Sequence, residues 1–143
     1  MIIASFIGGL LGGMNNWVSH ISDIRWHLND VYMSALMIVW MFLLHKFIML
    51  ETDITGYIIL ILAILSIIYV IHNQIFISDN QYIISMIPHH SMAVTMSEHI
   101  LNKTKNPKIK KLALNIINSQ NKEIQDMKNI ESELEQELEL EQE

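Results

Sequence analysis

On a helical wheel at about 100° per residue, Met86, His89, His90, Ala93, Met96, Ser97 and Ile100 share one face. Two imidazoles and two thioethers on a face that a neighbouring helix would cover are unusual, because buried polar groups must be satisfied. Pro88 falls inside the same pattern, where it removes a backbone hydrogen bond and should kink the helix or free the Ile84 carbonyl. Downstream, the apolar stripe Ile109, Leu112, Ala113, Ile116 runs on into Gln120, Glu123 and Met127. A carboxylate on a core face needs a proton, a base or a metal. Imidazole nitrogen with thioether sulfur suits copper, Cu(I) above all, better than magnesium or calcium. The residues predict a metal site drawn from His89, His90, Met86, Met96, Glu123 and Met127, with Gln120 beside them. The wheel leaves open which imidazole faces the ion, and whether there is one wide site or two dimer-related centres. Each residue alone has a plainer use, methionine as core filler and histidine as a satisfied core group.

Two helices must carry these residues. Ser78-Asp79-Asn80 is an N-cap signal, and a helical pattern follows to about Asn102. Asn106-Pro107 opens the next helix, with proline at the first helical position. Its pattern continues to about Ile130. Residues 131–143 hold seven Glu, one at every odd position, and predict a frayed or disordered acidic tail that could contact a protein partner.

Ahead of this pair lie two stretches too apolar for a small soluble domain. Residues 31–50 are interrupted only by Ser34, His45 and Lys46, and residues 54–71 carry no charge. A transmembrane helix needs about 20 mostly apolar residues. Residues 31–50 and 54–77 therefore read as a transmembrane hairpin in contact with lipid, with Glu51-Thr52-Asp53 as its turn. In the first span Met33, Met37, Met41, His45 and Met49 recur every four residues. A lipid or helix contact is the favoured reading of that ridge, and a thioether path for Cu(I) the sharper alternative. Residues 17–30 show helical spacing on two faces, Trp17, Ile21, Ile24, Leu28 and His20, Asp23, His27, Asp30. They predict an amphipathic helix on the membrane surface, its polar stripe solvated rather than metal-binding. Residues 1–16 carry Gly8, Gly9, Gly12 and Gly13 in small-xxx-small spacing, and read as an interfacial segment or a short third span.

The sequence Ser85-Met86-Ile87-Pro88-His89-His90-Ser91-Met92-Ala93-Val94 resembles the M-I-P-H-H-x-x-A signature of the DUF305 family. Pro107 to Lys111, Leu112-Ala113, Ile116-Ile117, Gln120, Glu123-Ile124 and Met127 resemble the second half of that pattern, over residues 79–130. The resemblance implies a ferritin-like helical bundle, and copper binding as in some members. Residues 26–77, notably Asp30 to Met37, resemble the two-helix anchor of a membrane-bound subgroup. Fuller members carry the two-helix unit twice, whereas this chain carries it once, so a homodimer would complete a four-helix bundle.

The expected fold is all-α: an N-terminal segment and interfacial helix (1–30), a transmembrane hairpin (31–77), a ferritin-like half-bundle (79–130) and the tail. The expected function is a membrane-anchored copper-binding protein for metal handling or tolerance. The alternative is a non-catalytic membrane adaptor whose histidine pair is structural. With no cysteine, disulfides, thiolate zinc sites and a thiol nucleophile are excluded. No Glu-x-x-His, phosphate loop or nucleophile elbow occurs, so no enzyme is expected. The five lysines from Lys103 to Lys111 lack interleaved aromatics and do not suggest nucleic acid. One basic residue on either side of the hairpin, Arg25 and Lys46, leaves orientation undecided by charge. The resemblance favours a domain outside the cytoplasm. The Ile- and Asn-rich composition fits a bacterial or viral genome; for a viral chain that face would be a lumen or virion surface.

Overall fold

The computed structural model describes residues 2–140, with five α-helices and no strand among them: α1 (Ile2–Leu11), α2 (Leu28–Ile48), α3 (Ile54–His72), α4 (Asp79–Lys103) and α5 (Pro107–Leu140). The chain divides into two compact units. The first holds α1, α2 and α3. The second holds Met14–His27 together with α4 and α5.

In the first unit, α2 and α3 are each long and apolar enough to cross a membrane. Neither is wrapped by protein. Ile64 is the only buried residue of α3, and Asp30 and Ser34 the only ones of α2. Leu44, Phe47, Ile59, Leu62 and Leu65 are exposed. A core helix of a soluble protein would be covered, so this surface is suited to lipid. The turn between the helices is built as its residues dictate. Leu50 takes a left-handed conformation (φ 52°), and Glu51 donates its N–H back to the Lys46 carbonyl at 3.1 Å. Asp53 then caps α3, accepting from the Gly56 N–H at 3.1 Å, and Lys46 pairs with Glu51 and with Asp53. At the other end of the hairpin the Tyr32 hydroxyl donates to the Ile75 carbonyl at 2.8 Å.

The glycine-rich start forms a ten-residue helix, about 15 Å long and half the depth of a bilayer core, so α1 is no span by itself. It packs on α2 where Gly9 meets Ser34: a Cβ there would stand 2.8 Å from the serine Oγ and 2.9 Å from its Cα.

Three expectations are corrected. The amphipathic helix over 17–30 does not form. The segment makes two 3-10 turns, Met14–Trp17 and Ile21–Asp23, and belongs to the second unit as a strap on α4. Its polar groups bond to α4 and α5 instead of following helical periodicity. The tail is helical through Leu140, with residues 141–143 outside the described residues. Glutamate and leucine are good helix formers, and Arg25 fixes the tail's first residue, Glu131. The third correction concerns which helix faces are inward, and it bears on the site.

Candidate metal centre and a buried polar network

Helix α4 begins as its cap signal requires, Ser78 Oγ accepting from the Gln81 N–H at 3.3 Å, and runs without a break through Pro88. Helix α5 begins at Pro107, with Asn106 Oδ1 accepting from the Lys108 N–H at 2.9 Å. The core between them is Ile87, Val94, Ile124 and Met127, with Ile83, Met86 and Ile117 packed against it.

The covered positions follow a heptad rhythm. On α4 the rhythm runs through Ile83, Ile87, His90, Val94, Ser97 and Leu101, with Ser85, Pro88 and Ser91 also buried on other parts of the helix surface; on α5 it runs through Ala113, Ile117, Gln120, Ile124, Met127, Glu131 and Leu134. Steps of three and four are the seam of a coiled-coil-like pair. The face read as inward on α4 is therefore turned by about one residue, roughly 100°. His89 is exposed and Met96 is 59% exposed, while Ile109 and Leu112 on α5 are also exposed. Glu123, expected on the core face, is exposed as well, its side chain at 48%, because it lies on the flank of α5 beside Ile124 and Met127.

Of the predicted ligands, the structure brings some together and leaves others apart. His90 Nδ1 lies 2.9 Å from Glu123 Oε2, close enough for an ion pair when the imidazole is protonated but without the alignment of a hydrogen bond. Met127 is buried in the core cluster, and Met86 packs on that cluster from α4. Gln120 is half-buried on the seam one turn before Glu123. His89 faces away from the seam, its ring 6.0 Å from that of His90 and tilted by 58°. Among the described residues no three His, Asp or Glu side chains gather as a metal cluster. One imidazole nitrogen and one carboxylate oxygen meet here, with the thioethers of Met127 in the adjoining core and of Met86 packed against it.

Beside the seam is a network that sequence reasoning missed. Asp23 is 1% exposed. Its carboxylate accepts from Ser91 Oγ at 2.6 Å and from Lys128 Nζ at 2.5 Å. Ser91, fully buried, in turn accepts the Ser19 N–H at 2.8 Å. Burial by itself would push the Asp23 carboxyl up; the hydrogen bonds from Lys128 and Ser91, with the lysine charge, outweigh it and hold the group below the ordinary carboxylate value. Arg25 closes the strap with a two-pronged contact to Glu131 at 2.7 and 2.8 Å, which raises its already high pKa. Ser91 thus has a structural task inside the histidine motif. The only sequence signal for it was a small polar residue on an otherwise apolar flank.

Residues 78–142 match the model of a domain of unknown function, DUF305. Over 134 residues the chain is 50% identical to "Uncharacterized protein L153" of Acanthamoeba polyphaga mimivirus, an alignment covering 91% of this chain and 88% of that protein. No solved structure matches.

Proposed function

The chain belongs to the family of the mimivirus protein, with a DUF305 domain over residues 78–142, and from that premise we propose that it is a membrane-anchored copper-binding protein without catalytic activity of its own. The observation that carries the reading is the 2.9 Å contact between His90 of the seam and the exposed Glu123, beside a core that holds Met127 and has Met86 packed against it. Nitrogen and thioether donors favour Cu(I) over zinc, whose sites seldom use sulfur from methionine. Helices α2 and α3 are its anchor in the lipid, with the Glu51–Asp53 turn on the opposite side from the DUF305 domain. That domain faces away from the cytoplasm, or for a viral chain toward a lumen or virion surface. Met96, Ile100, Ile109 and Leu112 are left uncovered on α4 and α5. A second copy covering them would complete a four-helix bundle and could add His89 and Met96 to the donors.

The second reading, an adaptor whose histidine pair is structural, is favoured by the regular seam in which His90 sits. Copper titration of the full chain in micelles, under reducing conditions and against a Cu(I) chelator, separates the two. His90→Ala should remove most of the binding at this site, and His89→Ala/His90→Ala all of it. A double variant that competes for Cu(I) as well as the parent would leave the adaptor reading standing.

A further inference from the structure

Asn102-Lys103-Thr104 lies at the tip between α4 and α5, apart from the histidine motif and the strap. Asn-x-Thr, with x other than proline, is an acceptor for N-linked glycan. Of all the asparagines in the chain only Asn102 has Ser or Thr two positions on. The fold presents this one where an acceptor must be. Asn102 is exposed in the last turn of α4, whereas Asn106 is engaged as the α5 cap, its Oδ1 taking the Lys108 N–H at 2.9 Å. Thr104 has already left the helix, with an extended backbone (φ −77°, ψ 138°). Its Oγ1 accepts the Asn106 N–H at 3.1 Å, which holds the hydroxyl on the loop. Terminal turns open at little cost, so fraying of a single turn gives an extended Asn-x-Thr segment. The rest of the domain leaves room for a sugar here. Asn102 lies about 120° round α4 from Met96 and about 160° from Ile100, off the uncovered apolar face. From His90 it is twelve residues, or about 18 Å, along the helix.

We propose that Asn102 is an N-glycosylation site, its glycan supplied by an oligosaccharide carried on a lipid diphosphate. Asn102 Nδ2 forms a bond to C1 of the first sugar. The bond from that C1 to the diphosphate oxygen breaks, the lipid diphosphate leaves with the electron pair, and the amide gives up one proton. Nothing is oxidised or reduced. The Thr104 hydroxyl is part of what the transferring enzyme recognises, so it is required although it is not itself modified. The inference rests on the reading that places the DUF305 domain away from the cytoplasm, because this transfer takes place on the lumenal side of a membrane. A bulky, hydrated sugar there would cover the tip, where Lys103, Lys105 and Lys108 are exposed.

The test expresses the full chain with a C-terminal epitope in cultured mammalian cells. Protease treatment of sealed microsomes reports which side the domain is on, and digestion with peptide N-glycosidase reports the glycan. The epitope should be protected, and the parent should lose the mass of one glycan as Asn102 becomes aspartate. Asn102→Gln and Thr104→Ala should run at the deglycosylated mass before any digestion. Thr104→Ser retains a hydroxyl and should keep the glycan. A protected epitope on a parent without glycan, or a glycan that persists in Asn102→Gln, overturns the proposal and leaves the orientation standing. An epitope digested from outside the microsomes overturns the orientation, and the glycan with it.

Discussion

Lys128→Met removes the ammonium 2.5 Å from the Asp23 carboxylate while keeping an alkyl chain of similar length. Asp23, 1% exposed, cannot regain water without moving the strap. Breaking a fully buried ion pair from one side costs about 3–5 kcal/mol. Here Ser91 still donates at 2.6 Å, and the Lys128 side chain is 23% exposed, so water can reach its place. These reduce the cost to about 2–3 kcal/mol. The loss should appear first as release of the strap, because short segments open below the global unfolding energy. The Ser19 amide is the reporter, since its N–H is held by Ser91 Oγ at 2.8 Å. At about 1.4 kcal/mol per decade, its hydrogen-exchange protection should fall roughly 30- to 150-fold. The pH dependence should also shift. In the parent the Asp23 pKa is lowered in the folded state, so its stabilisation is present above the unfolded value and lost as pH falls through the folded one, below about pH 4. In the variant the lysine no longer opposes burial, so that pKa lies higher than in the parent, with Ser91 and His20 still lowering it, and the acid loss of protection should begin at a higher pH. Ser19 protection within threefold of the parent at pH 7 would refute the reasoning.

Gly9→Ala should destabilise α1 against α2 by about 1–3 kcal/mol, because its Cβ would meet Ser34 backbone and side chain at 2.8–2.9 Å. Gly8→Ala has open space within 4 Å and should be neutral or gain up to about 1 kcal/mol from helix propensity; thermal melts in micelles compare the two. In this cysteine-free chain, single cysteines at positions 52 and 105 should label from opposite sides of a sealed vesicle, and labelling from one side would rule out the hairpin. Leu112, 58% exposed, contributes little to its own protomer. Leu112→Glu should therefore turn a dimer into a folded monomer in sedimentation, and an unchanged mass would remove that face from the interface.

How much of this was legible depended on whether the deciding force was local. The hairpin, the Ser78 and Asn106 caps and Pro107 at the start of α5 follow from composition and from groups within three residues of each other, and the sequence shows them. The seam was displaced because Ile109, Leu112 and Ile116 make as good an apolar stripe as Ala113, Ile117 and Ile124, one position round. Periodicity cannot choose between two apolar faces; the partner helix chooses. The strap failed for the opposite reason. Its helical spacing is real, but the partners of Asp23 are 68 and 105 residues away, and those bonds override local propensity.

The proposed copper site can be tested donor by donor. Glu123 offers a hard oxygen and the core two soft sulfurs, and His90 serves either. If Cu(I) is the natural ion, the sulfurs should matter more than the carboxylate. Met86→Leu/Met127→Leu preserves volume, and such swaps usually cost under about 1.5 kcal/mol of stability, so the fold should survive. It should weaken Cu(I) binding by about tenfold or more, or about 1.4 kcal/mol, and leave Zn(II) nearly unchanged. Glu123→Gln removes a charge but no sulfur, and should weaken Zn(II) or Cu(II) more than Cu(I). Competition titrations of both variants with both ions give a two-by-two comparison. Glu123→Gln costing Cu(I) more than the double methionine change would mean that the thioethers are core filler, and that the carboxylate and imidazole hold a harder ion.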